Sequence, residues 1–458
     1  MHRSILGPLL CLAACSTQDA ATIKLVTGEE TDTFTQPPAP TTLRVDSVAP
    51  LDDGGSQTTT LATVNLPATS IDLGQQDEST VAAFAVSGFD GQGNIVLQGS
   101  SLPLAFSSIA GATIPVFVQR TGQFARLPLP MPLADTRQMP LLSIVQGETL
   151  FVAGGADPSL SLATELYDFT SLAAAPSPPT LTEAPASIAL DGTVAWLIGS
   201  DAGTYFDLSD SYIGNITLPA GGGAFGDIAG GSTVIDDTGA EYVVGATRTS
   251  GAPSRWILKV DPNDATNANY QFGNATWIEL VAGRLGASAA WVSGRGLVVA
   301  GGSTTAAGAE IIAAGSAASL ALQVPPDGSV GSGAVALDGN RVLIAGGLLA
   351  GADAGVRVID LSCSTPTCAP APYSPGLPRA IASAQAFLLG GSTVVVVGSE
   401  PAAPPSTTAG LTHAYVVTSS QTLEVPTKVP HMNARAVASP LGGLVLFGGA
   451  GEIESFVP

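Results

Sequence analysis

Lysine, cysteine and histidine are scarce in this chain, and so is charge in general. Of 458 residues, three are lysine, three are histidine and four are cysteine. Charged residues make up only 12%, which argues against helical bundles because their helices need charged residues and leucine at helical spacing. Abundant apolar residues (45%), glycine (54) and proline (34) instead favour many short strands joined by tight turns.

Basic residues are far outnumbered by acidic ones. The chain holds 16 lysines and arginines against 37 aspartates and glutamates, a net charge of −21. An acidic surface repels a phosphate backbone, so nucleic acid is a poor partner candidate. We expect the acidity to serve solubility outside the cytoplasm.

Long apolar runs are missing too, and the N-terminal run is short. Ile5 to Ala14 is apolar after a basic start, which is too short to span a bilayer but suits a secretory signal. The run ends in Leu-Ala-Ala-Cys15, which resembles the lipobox of bacterial lipoproteins. That resemblance implies cleavage after residue 14, acylation of Cys15 (with palmitate, for example) and an outer-membrane anchor, since Ser16 follows the cysteine. An ordinary signal peptide with a chance cysteine is the alternative.

The remaining cysteines have separate expected fates. Cys11 leaves with the signal peptide, and Cys363 and Cys368 stay in the mature chain. In an oxidising compartment this pair predicts a disulfide that closes a small loop. Two cysteines without a nearby histidine cannot complete a zinc site, and we predict no metal and no cofactor.

Seven short apolar runs along the chain end in glycine followed by glycine, serine or alanine. The first glycines of these turns are Gly154, Gly199, Gly245, Gly301, Gly346, Gly398 and Gly448, with a mean spacing of (448 − 154)/6 = 49 residues. A repeat of this length, built from a few short strands, is typical of a β-propeller.

A second strand follows most of these turns and often ends in an aromatic or aliphatic residue and aspartate, as in Glu165–Asp168. Hydrophobic–Gly-Gly and then Tyr-Asp resembles the kelch repeat, over about residues 121–458. The resemblance implies a seven-bladed kelch-like propeller, although three units lack the second glycine and only Trp277 matches the usual tryptophan. We expect Gln123–Pro128 to complete the last blade as its fourth strand, because this closes the ring.

Residues 21–120 lack that period. Their short strand-like runs, separated by turn signals, predict a small β-sandwich of the immunoglobulin or fibronectin kind. The expected organisation is a signal peptide (1–14), a tether (15–20), a β-sandwich (21–120) and a seven-bladed propeller (121–458). The fold class is therefore all-β.

Four arginines precede the glycine turns at similar distances: Arg137, Arg284, Arg379 and Arg435. The kelch resemblance implies that they lie on the rim of the central channel, where a basic funnel would bind a carboxylate-bearing peptide or an acidic glycan. The alternative is structural: each arginine pairs with a nearby carboxylate or carbonyl and orders its blade.

Signals for catalysis are weak. We expect His413 and His431 to be solvated loop residues. The oxygen-rich loop 261–269 could hold calcium, but it lacks the glycine and glutamate of an EF-hand and reads better as a polar insertion. No nucleophile elbow, zinc-binding helix motif or phosphate loop occurs.

The predicted function is therefore interaction rather than catalysis. We expect a monomeric lipoprotein of the bacterial cell envelope that touches the membrane only through its lipid and binds a protein or glycan through the propeller. The loops Ala246–Ser254 and Ser399–His413 are the expected contacts. The alternatives are a carbohydrate-active enzyme with two rim carboxylates and a purely structural envelope component.

Overall fold

A computed structural model of the chain describes most of its residues. These are residues 20–51, 55–74, 80–128, 137–157, 159–176, 180–209, 212–261, 275–363, 368–391, 393–401 and 410–458. The signal peptide, Cys15 and most of the 261–269 loop lie outside them.

The N-terminal part holds eight strands and a short 3₁₀ turn at Phe106–Ser108. The strands are β1 (Thr22–Val26), β2 (Thr42–Pro50), β3 (Ser56–Asn65), β4 (Ser70–Asp72), β5 (Val81–Phe89), β6 (Ile95–Ser100), β7 (Leu104–Ala105) and β8 (Thr113–Arg120). Six of these strands overlap the strand-like runs that the sequence predicts within residues 21–120. The short strands β4 and β7 were not predicted.

These eight strands form one hydrogen-bonded path in the order β3-β2-β5-β6-β8-β1-β4, with β7 paired to β5. Strands β1 and β8 run parallel, and the other pairs are antiparallel. Alternate residues such as Leu43, Val45, Phe84 and Val86 point into one buried core, as the two-residue period of a strand requires. The two-layer sandwich arrangement stays a prediction.

The rest of the chain forms seven four-stranded antiparallel sheets, which are the blades of a propeller. After β9 (Gln123–Arg126), blade 1 holds β10 (Leu141–Val145), β11 (Thr149–Ala153), β12 (Glu165–Asp168) and β13 (Ala173–Ala175). Blade 2 holds β14 (Ser187–Asp191), β15 (Val194–Ile198), β16 (Gly203–Asp207) and β17 (Tyr212–Asn215). Blade 3 holds β18 (Ser232–Ile235), β19 (Glu241–Val244), β20 (Ser254–Val260) and β21 (Ala275–Arg284).

Blade 4 holds β22 (Ser288–Val292), β23 (Gly296–Ala300), β24 (Ala309–Ala313) and β25 (Ser319–Ala321). Blade 5 holds β26 (Gly333–Ala336), β27 (Arg341–Ala345), β30 (Val356–Asp360) and β31 (Ala371–Pro372), with the hairpin β28 (Leu348–Leu349) and β29 (Ala352–Asp353) inserted. Blade 6 holds β32 (Ala382–Leu389), β33 (Thr393–Ser399), β34 (Thr412–Val417) and β35 (Thr422–Val425). Blade 7 holds β36 (Arg435–Ala438), β37 (Leu444–Phe447) and β38 (Glu454–Val457). The remaining helices are α1 (Phe225–Ile228) and a 3₁₀ turn at Gly245–Thr247.

The second strand of each blade contains a continuous apolar run because neighbouring blades cover both of its faces. In β11, Leu150 and Val152 join the core toward blade 7, while Phe151 and Ala153 join the core toward blade 2. The ring of Phe151 stacks on that of Phe206 in blade 2, with centroids 6.1 Å apart. Each inter-blade wedge is therefore a small hydrophobic core of its own.

Strand β9 closes the ring, as the sequence predicts. It pairs with β38 in blade 7, so that Phe124 lies opposite Phe456 and Ala125 opposite Ser455. Strand β9, which precedes blade 1 in the sequence, is thus the fourth strand of blade 7. Neither strand is left with an open edge toward the other.

The strand order gives the propeller two distinct faces. Leu141, which begins β10, lies opposite Ala153, which ends β11, so the connection into each blade and the glycine turn after its second strand share one end. We call this end the glycine face. The turns between first and second strands and between third and fourth strands form the opposite face.

The N-terminal sheet packs against blade 7. Phe117 of β8 shares a buried core with Leu127 and Phe447. Nε of Arg126 in β9 donates to Oε1 of Glu30 at 2.9 Å. Apolar packing and a partly buried ion pair therefore join this sheet to the blade where the ring closes.

Candidate functional site

The aspartates that end the third strands serve turns on the opposite face. Oδ1 of Asp168 accepts from the backbone N–H of Thr170 at 2.7 Å, and Oδ1 of Asp360 accepts from Ser362 at 2.8 Å. Such bonds to the residue two positions on form an Asx turn. The hydroxyl of Ser362 also donates to Oδ1 of Asp360, and this bond, followed by the backbone bond, lowers the pKa of Asp360. The aspartate of the repeat thus stabilises the turn that follows the third strand.

On the glycine face, Arg137 is buried inside blade 1. Its Nη1 donates to the carbonyl oxygens of Gly154, at 2.6 Å, and Ala163, at 3.0 Å. Its Nε donates to Oε2 of Glu165 at 3.1 Å, and both side chains are at most 1% exposed. Burial lowers the pKa of Arg137, and the charge of Glu165 opposes that shift. The arginine thereby holds together the glycine turn and the third strand.

The same arrangement, which we call a blade staple, recurs in blades 4 and 7. Arg284 donates to the carbonyl of Gly301 at 2.8 Å and to Glu310. In blade 7 a histidine replaces the arginine, with Nδ1 of His431 2.9 Å from the carbonyl of Gly448 and Nε2 3.2 Å from Glu454. The three carboxylates occupy equivalent ladder positions, each opposite the residue two before the glycine: Glu165 with Val152, Glu310 with Val299 and Glu454 with Leu446.

Blade 5 has an arginine where blades 1, 4 and 7 have the staple carboxylate. Arg357 occupies that position, opposite Ile344. Its Nη2 donates to Oδ2 of Asp327 at 2.7 Å and to Oγ of Ser329 at 2.6 Å. Ser329, not Asp327, stands seventeen residues before Gly346, so blade 5 keeps an ion pair on this face but builds it from a neighbouring position.

The four arginines singled out in the sequence therefore have different surroundings. Arg137 and Arg284 are fully buried, so they do not contribute accessible charge to a rim, and their contacts match the structural alternative. The side chain of Arg379 is 53% exposed, with Nη1 3.0 Å from Oε1 of Glu400. Arg435 begins the innermost strand of blade 7 and is partly exposed.

Arg435 lacks the carboxylate that accompanies the other three. Its Nη1 donates to the carbonyl of Ser383, in the innermost strand of blade 6, at 2.8 Å. Among the described residues no acidic side chain contacts it, and burial lowers its pKa without an opposing charge. A guanidinium has five N–H donors, so Arg435 keeps donors that its described neighbours do not use.

A ring of tight turns lies where the chain enters the innermost strands; we call them the mouth turns. In six blades the residue fifteen positions before the first glycine has positive φ. These residues are Met139 in blade 1, Gly230 in blade 3, Gly286 in blade 4, Gly331 in blade 5, Ser383 in blade 6 and Asn433 in blade 7. Backbone bonds join neighbouring turns, for example from the N–H of Gly331 to the carbonyl of Gly286 at 2.8 Å.

In three of these six mouth turns, the residue with positive φ is not glycine. Met139, Ser383 and Asn433 each have φ of 50°, in the left-handed region. Asparagine tolerates this region, whereas methionine and serine there cost on the order of 1–3 kcal/mol. All three belong to the consecutive blades 6, 7 and 1. Strain of this kind collects at functional sites, so this sector is the candidate functional site.

Both histidines contradict the expectation of solvated loop residues. His431 is fully buried in its staple, and His413 is 7% exposed within β34. The ring of His413 lies between two carboxylates, with Nε2 2.9 Å from Oε1 of Glu400 and Nδ1 2.6 Å from Oε1 of Glu424. The sequence signal was available: His431, like Arg137 and Arg284, stands seventeen residues before its glycine.

Cys363 and Cys368 form the predicted disulfide. The loop Ala246–Ser254 lies on the glycine face, and residues 402–409 of the second expected contact loop lie outside the described part. Within that part, no group of three or more histidine, cysteine, aspartate or glutamate side chains is placed to hold a metal ion. None of the helices described has the length and apolar character needed to cross a membrane.

Comparison with known proteins identifies no relative of this chain by sequence. No protein-family model matches the chain, and no curated protein matches it by sequence. Among solved structures it is similar to a chain of the mitotic checkpoint complex, with a TM-score of 0.46 and 13% identity over 74% of this chain and 92% of that chain. The seven-bladed propeller is therefore read from the chain's own strand pairing, and the kelch likeness stays a resemblance.

Proposed function

We propose that the protein is an interaction module of the bacterial cell envelope that binds a protein or glycan through the glycine face of its propeller. Propellers are rigid discs whose variable loops suit recognition. In this proposal the protein is a monomer that acylated Cys15 anchors to the outer membrane. The tether and the N-terminal sheet connect that anchor to the propeller. Arg379 and Arg435 are the members of the arginine set that would contact the partner.

The observation that carries this proposal is the uneven chemistry of the mouth turns. Glycines form the turns of blades 3, 4 and 5, whereas blades 6, 7 and 1 hold Ser383, Asn433 and Met139 at positive φ. Backbone bonds that link the turns do not require those side chains. Their presence beside a partly exposed arginine is therefore better explained by contact with a partner than by the architecture.

The enzymatic alternative has less support. It requires two free carboxylates across a cleft. Glu165, Glu310 and Glu454 are each at most 1% exposed and bound within staples, so none of these three can supply the pair. We therefore make catalysis no part of the proposal.

Blocking one face at a time tests the proposal. Thr305 is exposed on the glycine face and Gln421 is exposed on the opposite face, so Thr305→Cys and Gln421→Cys form a matched pair for attachment of polyethylene glycol. Each conjugate is immobilised and used to capture partners from envelope extract and to probe a glycan array. We expect the glycine-face conjugate to lose a ligand that the opposite-face conjugate and the natural chain retain.

Two results would contradict the proposal. Equal capture by both conjugates would remove the glycine face from recognition. Capture of nothing by the natural chain, on either the extract or the array, would favour the purely structural alternative.

A further inference from the structure

The mouth of the propeller holds four polar side chains on one side, which we call the polar sector: Gln138, Ser383, Asn433 and Arg435. Gln138 and Asn433 lie in the connections into blades 1 and 7, Ser383 is the second residue of β32, and Arg435 is the first residue of β36. Nδ2 of Asn433 donates to Oε1 of Gln138 at 3.0 Å. Because its oxygen accepts that bond, Gln138 has its amide N–H₂ group free to donate, and no acceptor for it lies among the described residues.

The gap between blades 6 and 7 is bridged by side chains. The amide of Gln385 donates to the carbonyl of Ala436 at 3.0 Å and accepts from the N–H of the same residue at 2.8 Å. Arg435 crosses the same gap to Ser383. The blades are thus already joined by Gln385, and the unused donors of Arg435 are not needed to connect them.

We propose that the polar sector binds a carboxylate group of the partner, with Arg435 as the residue that pairs with its charge. A guanidinium matches the two oxygens of a carboxylate, and the amide of Gln138 supplies a neutral donor near it. The proposal rests on the proposed function and names the chemistry of that face. It also accounts for a cation left without a described carboxylate in a chain of net charge −21.

A singly charged group fits this sector better than a polyanion. The overall negative charge opposes the approach of any anion, and this opposition grows with the charge of the ligand. Arg435 is the sector's one charged residue, so it can neutralise one negative charge. An acidic side chain or chain end of a protein is therefore favoured over a phosphate.

A peptide probe tests the carboxylate site. We would titrate the purified protein with an acetylated and amidated tetrapeptide of three glycines and one glutamate (the glutamate peptide), which carries a single carboxylate. The neutral control is the same peptide with glutamine in place of glutamate, and binding is followed by calorimetry. The natural chain should bind only the glutamate peptide. Arg435→Met should weaken that binding by about tenfold or more, since a bond to a charged group is lost.

Arg255→Met is the matched control, because Arg255 is exposed on the perimeter of blade 3 and pairs with Glu279. This variant should bind the glutamate peptide as the natural chain does. Asn433→Gly and Ser383→Gly keep the left-handed turns, so they should stay folded yet bind more weakly. If Arg435→Met does not fold, peptide binding by these two glycine variants tests the carboxylate site instead.

The inference is overturned if the glutamate peptide does not bind, or if Arg435→Met and both glycine variants bind it unchanged. Loss of capture on blocking the glycine face without binding of the glutamate peptide would keep the proposed function and reject the carboxylate site. Binding of the glutamate peptide without partner capture would support the site and count against the proposed function.

Discussion

Arg284 and Glu310 are joined by two hydrogen bonds inside blade 4, with Oε1 of the glutamate 3.1 Å from Nε and 2.9 Å from Nη2 of the arginine. Both side chains are at most 1% exposed. Oε2 of Glu310 also accepts from the backbone N–H of Val281 at 2.7 Å and from Oγ of Ser319 at 2.9 Å. The pair thus fastens the glycine turn of blade 4, its outer strand and the end of blade 3.

Removing one partner of this pair should be costly. Arg284→Met leaves Glu310 buried with an uncompensated charge, and the expected loss is about 3–5 kcal/mol in the free energy of unfolding, measured by urea denaturation. Arg255→Met breaks an ion pair whose partners are about half exposed, and it should cost less than about 1 kcal/mol. Equal losses in the two variants would contradict a structural role for the staple.

Two glycines separate backbone strain from close packing. Gly347 and Gly351 have φ of +77° and +84°, but a Cβ on Gly347 would lie 2.3 Å from Oγ and 2.7 Å from N of Ser332, whereas a Cβ on Gly351 meets nothing within 4 Å. Gly351→Ala should cost about 1–2 kcal/mol from its left-handed backbone alone. Gly347→Ala should lower the melting temperature clearly further, and matching melting temperatures would refute the close approach.

Much of the propeller could be predicted from the sequence because glycines mark the turn after the second strand of each blade. In the four glycine turns that have two glycines, as at Gly346 and Gly347, both adopt positive φ, whereas Gly199, Gly245 and Gly398, which lack the second glycine, do not. Ring closure by β9 was predictable because blade 7 lacks a fourth strand of its own. The hairpin of blade 5 and the short strands β4 and β7 carry too few residues to show a pattern.

The site could be predicted only in part. Position in the repeat places Arg137, Arg284, Arg379 and Arg435 near the glycine turns, but it does not show which of them are buried. Arg137 and Arg284 are buried against a carboxylate of the third strand, whereas Arg379 is half exposed and Arg435 has no carboxylate beside it among the described residues. Glu165, Glu310 and Glu454 follow their glycines at different distances because the intervening loops differ in length. Only the register of the third strand shows that they are equivalent.

Stability should respond to pH through Asp353 and Asp338 with opposite signs. Burial raises the pKa of Asp353, so its folded form binds a proton more tightly, and its contribution to stability falls as pH rises above the ordinary aspartate range. Hydrogen bonds from Asn340 and Arg341 lower the pKa of Asp338, so its stabilising contribution is present at neutral pH and is lost as pH falls.

Asp353→Asn should therefore stabilise the protein at pH 7 and lose that advantage in acid, while Asp338→Asn should destabilise it at pH 7. Urea denaturation of both variants and the natural chain at neutral and acidic pH measures these differences. A shift of the same sign in both variants would show that the two carboxyl groups are not in the environments described.

The disulfide should contribute modestly. Cys363 and Cys368 are five positions apart, and closing so short a loop removes little chain entropy, worth about 2 kcal/mol. The double variant Cys363→Ser, Cys368→Ser should therefore stay folded with a somewhat lower melting temperature. Unfolding of this variant at room temperature would show that the disulfide contributes more to the free energy of unfolding than the chain-entropy effect accounts for.

Closure of the ring by β9 is tested most directly by a double-mutant cycle on Phe124 and Phe456. Their rings lie 5.3 Å apart, centroid to centroid, although the residues are far apart in the sequence. The free energies of unfolding of Phe124→Leu, Phe456→Leu and the double variant should show a coupling of about 0.5 kcal/mol or more. Additive losses, with no coupling beyond error, would mean that β9 does not complete blade 7 and that the seven-bladed ring is not closed in this way.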